Sequence, residues 1–297
     1  MMLMKGNSLM KKCLIFLMMA LLLFPLLPCS AEESVIHNKI RNPEDTYTFP
    51  EDAQLLEIYF PDIYDADAAF IRYGEYTMLL DCAGNLWQQV DSLLKSLNVQ
   101  ELTYAFLSHP HSDHMYGFQH VLAKVRPNEF LHTFPEKSLY NDVAAAKVYA
   151  ALHELELPFR RLNNGDTIDF GDVQITVMQR SEPELSGNNA SAMLKIELGD
   201  RSILFAADIQ MDAQLLYVKD NAPIKADILK HPHHGYNRVQ RSFLNAVDPE
   251  LVIVTSAYAT ANGVALLKET KTDYHYTNLG VMRLATDGHV WTLERID

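Results

Sequence analysis

The 297-residue sequence is long enough for one large domain with a substantial core, even without its apolar leader. Its formal net charge of −13 excludes a protein that holds long nucleic acid across a broad basic surface. Of its three cysteines, Cys13 and Cys29 lie in the leader, so only Cys82 remains beyond it and the domain must hold together without an internal disulfide.

The leader, residues 1–31, has the layout of a secretory signal peptide. Lysines precede an apolar run over residues 13–27, and Cys29 and Ala31 occupy the small-residue positions of a cleavage site. Two alternatives stay open: lipoprotein processing at Cys29, which Pro28 disfavours, and an uncleaved anchor, although a spanning helix needs roughly 20 apolar residues. We expect an exported protein, secreted or held in the cell envelope, with membrane association only through this N-terminal segment.

Residues 32–53 are polar and contain two prolines, which predicts a linker or an arm laid across the surface. The remaining residues, 54–297, are expected to form one domain without internal repeats. Strand-like apolar runs in its first half cover residues 55–60, 68–73, 76–81 and 102–107. Between the last two runs, regularly spaced leucines predict a helix over residues 86–97.

A loop with three histidines and an aspartate follows the fourth of these strands. His109 and His111 are two positions apart in extended chain, so their side chains point the same way and can bind one ion. Asp113 and His114 stand at the entrance of a helix predicted over residues 115–124 and can bind a second ion. Borderline divalent cations such as zinc prefer such ligands. A single loop histidine is usually an ordinary surface residue, but this combination predicts half of a two-metal site.

The rest of the chain alternates strands with helices. The predicted elements are a strand near 130–133, a helix over 142–155, hairpins over 167–178 and 192–206, strands over 228–230 and 251–255, and a closing hairpin over 280–293. Strands dominate each half of the domain. This order favours two packed sheets with helices on their outer faces, one sheet from each half.

The second half of the site is expected around Asp208, which follows an apolar strand at the same topological place as His109. Each oxygen of Asp208 can serve one ion, and its alternative role is to cap a helix that starts at Met211. Residues 231–234 follow the next strand and hold three more histidines. Six of the twelve histidines therefore fall in two short segments, which random placement would rarely produce.

The motif over residues 109–114, His-Pro-His-Ser-Asp-His, resembles the His-x-His-x-Asp-His signature of the metallo-β-lactamase superfamily. Asp81 is similar to the Asp of the first motif of that superfamily, Asp208 to its bridging Asp, and the Pro-His-His-Gly run over 232–235 to its last His. Within the superfamily, the segments over 188–191, 229–235 and 286–288 resemble the hydrolase domain of ComEC-type competence proteins. The resemblance covers about residues 54–293. It implies an α/β fold, a four-layer αββα metallo-β-lactamase-like sandwich of two mixed sheets with helices on the outer faces.

Spacing and resemblance together assign a role to each site residue. The expected ligands are His109 and His111 for one ion and Asp113 and His114 for the other, with Asp208 as a bridge and His233 completing the set. Asp113 would also orient the attacking hydroxide, and Asp81 would fix a ligand imidazole. Spacing leaves open which of His233 and His234 is the ligand. The family pattern favours His233 and leaves His234 to bind substrate or act as a general acid.

Asn189 stands where many members of the superfamily have a metal-binding histidine. This difference implies weaker binding of one ion and tolerance of manganese as well as zinc, although the amide can still donate to a phosphate oxygen. The alternative role of Asn189 is that of a turn residue. Other departures from the competence-protein pattern, at Tyr64, Ala66 and Tyr236, bear on the substrate more than on the metals.

Two divalent ions about 3.5 to 4 Å apart can lower the pKa of a shared water toward about 7 and neutralise charge on the group attacked. We therefore expect a free-standing, exported phosphodiesterase that uses a dimetal-bound hydroxide, with zinc preferred over manganese. Its substrate would be a small-molecule or polymer-end phosphodiester, and it would not bind duplex nucleic acid tightly. A lactonase, another ester or amide hydrolase, or a nuclease related to DNA uptake would use the same ions. Outside catalysis, the alternative is a metal-stabilised envelope binding protein.

Overall fold

The computed structural model describes residues 34–135, 143–182 and 185–296, and from Val35 onward they belong to one compact unit. The predicted signal peptide, residues 1–31, lies outside the described residues. Within the described ranges, no helix is both long enough and apolar enough to span a membrane.

The first sheet is mixed and has nine strands among the described residues. In spatial order they are β1 (Ile36–Asn38), β16 (Trp291–Ile296), β15 (Val281–Thr286), β2 (Leu56–Phe60), β3 (Ala69–Tyr73), β4 (Tyr76–Leu80), β5 (Glu101–Leu107), β6 (Arg126–His132) and β7 (Phe159–Arg161). Strands β4 to β7 run parallel, so the carboxyl ends of β4 and β5 lie at the same edge.

The second sheet is also mixed and has seven strands in the described part of the chain. In spatial order they are β14 (Asp273–Tyr276), β13 (Leu251–Val254), β12 (Ile228–Lys230), β11 (Arg201–Phe205), β10 (Met193–Leu198), β9 (Gln174–Met178) and β8 (Thr167–Ile168). Strands β11 to β14 are parallel, which brings the carboxyl ends of β11, β12 and β13 to one edge.

Helices cover the outer face of each sheet. On the first sheet lie α1 (Trp87–Ser96), α2 (Ser112–Met115), α3 (Phe118–Val121) and α4 (Val143–Glu154). On the second lie α5 (Met211–Lys219), α6 (Arg241–Val247) and α7 (Ala265–Thr270). Strand β5 shows why both faces are filled: Phe106 packs between the sheets, whereas Ala105 and Leu107 pack under the helices. The predicted αββα sandwich of two mixed sheets is confirmed.

Three details differ from the prediction. Part of the expected N-terminal arm is strand β1, which pairs in parallel with β16 and is too short for its pattern to show in the sequence. The closing hairpin joins the first sheet by pairing with β2, so the two sheets do not divide the chain into halves. The helix expected over residues 115–124 is two short helices, α2 and α3, separated near Gly117.

Gly117 explains that interruption. A Cβ atom on this residue would lie 1.9 Å from the carbonyl oxygen of Cys82, so only glycine allows the segment to approach the end of β4 so closely. This approach presses the histidine loop against the carboxyl ends of the strands, where the side chains of the site converge.

Candidate metal centre

The side chains of the candidate site lie at the carboxyl ends of strands from both sheets. Asp81 follows β4, the histidine loop follows β5, Asp208 follows β11, and residues 231–234 follow β12. In open α/β sheets, ligands bind outside this edge of the strands. The topology therefore gathers polar side chains that are up to 153 residues apart in the sequence, roughly half its length.

Two groups of side chains share Asp208, and within each group the ligand atoms lie within 4.8 Å of one another. One group is His109, His111 and Asp208, and the other is Asp67, His114, Asp208 and His234. His111 is exposed, whereas the other members are buried. The structure thus brings the loop histidines together with Asp208.

One oxygen of Asp208 faces three imidazoles. Its Oδ2 lies 3.3 Å from His114 Nε2, 3.4 Å from His234 Nε2 and 3.7 Å from His109 Nε2. The Oδ2 atom of Asp113 lies 3.2 Å from His234 Nε2, and the Asp113 side chain is 40% exposed. Asp113 therefore lies on the solvent side of the group, next to His234.

Asp81 orients the ring of His114. Its Oδ2 lies 2.8 Å from His114 Nδ1, which directs the other ring nitrogen of His114 toward Asp208. The backbone N–H and the hydroxyl of Ser108 donate to the Asp81 carboxylate at 2.8 and 2.7 Å. Carboxylate–imidazole pairs of this kind set the tautomer and direction of a metal-binding histidine. Asp81 thus lies where the expected role requires it.

A second carboxylate, Asp67, holds His234 in the same way, and the sequence reasoning did not assign it. Asp67 Oδ1 lies 3.1 Å from His234 Nδ1 and accepts a hydrogen bond from the Thr255 hydroxyl. Asp67 Oδ2 accepts a hydrogen bond from the buried Lys230 ammonium. Because both its oxygens are engaged, Asp67 is suited to orienting His234 and not to binding an ion. Its one signal in the sequence is an aspartate at the start of a strand, in the segment where the family resemblance is loosest.

The geometry of the His-His pair reverses the preference drawn from the family pattern. His234 is buried and its Nε2 points at Asp208. His233 is half-buried, with its Nε2 3.8 Å from Asp208 Oδ2 and 3.2 Å from Asn188 Nδ2. The other ring nitrogen of His233 lies 3.2 Å from Gln210 Nε2. The geometry therefore favours His234 as a ligand and places His233 on the rim of the site.

The backbone explains why spacing could not decide between the two histidines. His233 and His234 both adopt left-handed conformations, with φ of 49° and 54°. Asp81 and Ala207, which follow other strands of the site, also have positive φ, at 54° and 45°. Non-glycine residues in this region cluster at functional sites, where the surrounding structure holds them. His231 lies outside this arrangement, since its ring contacts the carbonyls of Pro232 and Gly263.

Asn189 turns away from the metal ligands. Its side-chain oxygen accepts a hydrogen bond from the Gln210 backbone N–H at 2.8 Å, where α5 begins, so it fixes the start of that helix. Its neighbour Asn188 contacts His233 instead, and within the described residues its buried Oδ1 has no hydrogen-bond partner. Sequence reasoning missed Asn188 because nothing in the sequence distinguishes two adjacent asparagines in a turn.

The site carries an excess of buried negative charge. Asp67, Asp81 and Asp208 are buried together, and Lys230 is the cation buried against them in the described part of the chain. Burial lowers the pKa of His114, but Asp208 and Asp81 outweigh burial and raise that pKa to about 10. Without metal, the protonated His114 imidazole thus supplies positive charge. With metal bound, divalent ions would supply that charge instead, because metals compete with protons for the same ligand atoms.

Two orphaned atoms show that the residues fit metal ions. His109 Nε2 and Asp208 Oδ1 are buried and find no hydrogen-bond partner among the described residues. Burial and the neighbouring His114 also hold the pKa of His109 well below its usual value, so this imidazole is neutral, as a ligand must be. An unpaired buried polar atom costs about 1–3 kcal/mol. Together with the imidazole and carboxylate donors, these atoms suit a pair of borderline divalent ions.

Replacing His234 by alanine is expected to remove one of two bound ions, because its Nε2 lies among the ligand atoms of His114, Asp113 and Asp208. His233→Ala is expected to keep both ions, since the nitrogens of His233 contact amide groups. Elemental analysis of the dialysed variants measures the difference. Loss of an ion from His233→Ala alone would refute this ranking of the pair.

Comparisons with known proteins agree with the fold. The family model described as the metallo-beta-lactamase superfamily matches residues 62–256. ComE operon protein 3 of Bacillus subtilis (strain 168) is 26% identical over 221 residues, which are 67% of this chain and 28% of that protein. Competence protein ComA of Neisseria gonorrhoeae is 28% identical over 200 residues, which are 65% of this chain and 26% of that protein. The ComEC-type resemblance is confirmed, and this chain spans about a quarter of the length of these relatives.

A solved structure supports the fold independently. CmlA from Streptomyces venezuelae, described as a diiron beta-hydroxylase, is similar with a TM-score of 0.53 and 14% sequence identity. The similarity covers 84% of this chain and 55% of CmlA. At this level of identity the likeness concerns the arrangement of sheets and helices alone.

Proposed function

The chain belongs to the metallo-beta-lactamase superfamily, and from that membership we propose that it is an exported, metal-dependent hydrolase that cleaves phosphodiesters. The observation that carries the proposal is the convergence of two groups of ligand atoms on Asp208. The hydroxyl of Ser108, which lies beside them, is buried and donates to Asp81, so it is not available as a nucleophile. Water is therefore the nucleophile of the proposed reaction.

Two divalent ions would be held by residues from both halves of the chain. His109 and His111 would bind one ion, Asp113, His114 and His234 the other, and Asp208 would lie between them. We propose zinc, with manganese as the alternative, because imidazole and carboxylate groups are the donors that borderline divalent ions prefer. When bound, such ions acidify water and neutralise the charge that develops on a phosphate.

We propose that Asp113 acts on the water and His233 on the substrate. Burial raises the pKa of Asp113, but His234 and His114 outweigh burial and hold it below its usual range. Asp113 is therefore ionised at neutral pH and can accept a hydrogen bond from the attacking water. Burial lowers the pKa of half-buried His233, so its neutral ring can donate one N–H to a phosphate oxygen.

Charge supports a small or polymer-end phosphodiester as the substrate. A formal net charge of −13 repels long polyanions and disfavours tight binding of duplex nucleic acid. A single phosphodiester carries one negative charge, which ions within the site can attract locally. Export is proposed on the layout of the leader, and any membrane association is proposed only through that segment.

Hydrolysis of bis(p-nitrophenyl) phosphate by the purified protein with added zinc tests the function directly. Asp113→Ala is expected to lower kcat/KM by about 10²-fold or more, since this carboxylate positions the water. His289→Ala, at an exposed position distant in the chain from the loop, is the matched control and is expected to keep full activity. Absence of hydrolysis in the metal-loaded wild-type protein would reject a phosphodiesterase.

The competence-protein relatives favour a second candidate, a nuclease related to DNA uptake. Release of nucleotides from single-stranded DNA at a rate above that of the small diester would select this candidate. Turnover of an acyl-homoserine lactone without cleavage of either phosphodiester would instead identify a lactonase or related ester or amide hydrolase with the same ions.

A further inference from the structure

A cleft of about 560 Å³ opens beside the proposed site. Its polar side is formed by His111, Ser112 and Asp113. His111 is exposed and the Asp113 side chain is 40% exposed, so both side chains are accessible from the cleft. A group attached to a phosphorus atom held at the site would therefore extend into this space.

The other wall of the cleft is apolar. It is contributed by the histidine loop, by the end of α2 and by α4, and consists of Pro110, Met115, Tyr116, Ala144, Ala145 and Val148. No lysine or arginine is among the described residues that line the cleft. Such cations are the usual partners of additional phosphate groups. The described lining therefore offers no cation to pair with a second phosphate.

We propose that this cleft binds an alkyl or aryl substituent of the substrate, so that the preferred phosphodiester carries one apolar group next to the phosphate that is cleaved. The proposal rests on the proposed phosphodiesterase function and specifies its substrate class. Apolar surface that leaves water on binding stabilises the complex, and small-molecule sites of about 300–1,000 Å³ are typically lined in this way. The volume and the lining of this cleft match that description.

A comparison of two substrates that differ only in this group tests the proposal. Methyl p-nitrophenyl phosphate and hexyl p-nitrophenyl phosphate share the same leaving group and charge. Full burial of one methylene group raises the binding constant about fourfold. In an open cleft we expect about twofold for each methylene group. We therefore expect kcat/KM for the hexyl diester to exceed that for the methyl diester at least about tenfold.

Variants on α4 separate the cleft from a general preference for apolar substrates. Ala144→Gln, at an exposed position that lines the cleft, is expected to lower the hexyl-to-methyl ratio about threefold or more, because a polar amide would occupy the apolar space. Ala150→Gln lies at an exposed position of the same helix outside the cleft and is expected to leave the ratio unchanged. An equal fall in both variants would overturn the assignment of the preference to the cleft.

The remaining outcomes distinguish failure of this proposal from failure of the proposed function. Hydrolysis of both diesters with a ratio near one would overturn the cleft proposal and leave the phosphodiesterase intact. A higher kcat/KM for thymidine 5′-(p-nitrophenyl) phosphate than for the hexyl diester would also overturn it, in favour of a nucleoside site. No hydrolysis of methyl p-nitrophenyl phosphate or of bis(p-nitrophenyl) phosphate would reject the proposed function itself.

Discussion

Replacing Asp208 by alanine is expected to lower kcat/KM for bis(p-nitrophenyl) phosphate by about 10²- to 10⁴-fold, the rate equivalent of several kcal/mol of lost charge stabilisation. Asp208 is the residue that the two groups of ligand atoms share. Its removal takes an oxygen from both groups and leaves His109 and His114 without the carboxylate between them. The bound metal should fall from two ions per chain to one or none, measured by elemental analysis on the sample used for kinetics.

Asp212→Ala is the matched control for this variant. Asp212 is an exposed carboxylate on α5, four positions after Asp208, and it belongs to neither group of ligand atoms. Its replacement is expected to leave both metal content and kcat/KM unchanged within twofold, roughly the size of an effect of surface charge. If Asp208→Ala kept two ions and activity within tenfold of the wild type, the two groups could not form one centre around Asp208.

Lys230→Met is expected to destabilise the fold by about 3–5 kcal/mol, because it removes the ammonium that is paired with the buried Asp67 carboxylate. Lys230 and Asp67 are 2% and 6% exposed, so water cannot replace the lost contact. The Lys230 ammonium also donates to the Ala207 carbonyl at 3.2 Å, directly before Asp208. Urea unfolding in the presence of a chelator measures the effect on the metal-free protein.

Two companion variants show whether the uncompensated charge is the cause. Replacing Asp67 by asparagine in the Lys230→Met protein removes both charges and should recover more than half of the lost stability. Lys225→Met interrupts an exposed pair with Asp248, whose side chains are 78% and 68% exposed, and should change stability by less than about 1 kcal/mol. A Lys230→Met effect as small as that of Lys225→Met would show that the buried pair contributes little.

The sequence predicted those parts of the site that depend on local pattern. His109, His111, Asp113 and His114 follow one strand in a fixed spacing, and Asp208 follows a strand at the equivalent place, so strand geometry alone directs them to one edge. The two-sheet sandwich was likewise readable from apolar runs and turns. Each of these inferences needed only the alternation of side chains along a strand and the position at which the strand ends.

The remaining parts depend on contacts or conformations that local pattern does not encode. Two successive left-handed residues turn His234 inward and His233 outward. In the same way, a turn directs Asn188 to His233 and Asn189 to the Gln210 backbone. Asp67 joins the site through contacts with Lys230 and His234, which are 163 and 167 residues away in the sequence. The closing hairpin pairs with β2, which is distant in the sequence, and the order of strands does not predict this pairing.

His114 and His234 are oriented in the same way. Each ring presents Nε2 to Asp208 while a buried carboxylate, Asp81 or Asp67, holds its Nδ1. Buried carboxylates are costly without cations, and Lys230 compensates only part of their charge. The negative charge of the pocket therefore favours the binding of cations. The carboxylates fix the orientation of both rings before those cations bind.

Titration of the metal-free protein with zinc, followed by its rate of bis(p-nitrophenyl) phosphate hydrolysis, tests the two-ion phosphodiesterase most directly. Protein stripped with a chelator should be inactive. Its rate should rise with added zinc and reach a plateau at two equivalents per chain, since both groups of ligand atoms must be filled. A plateau at one equivalent, activity that survives complete removal of metal, or no activity at two bound equivalents would contradict this account.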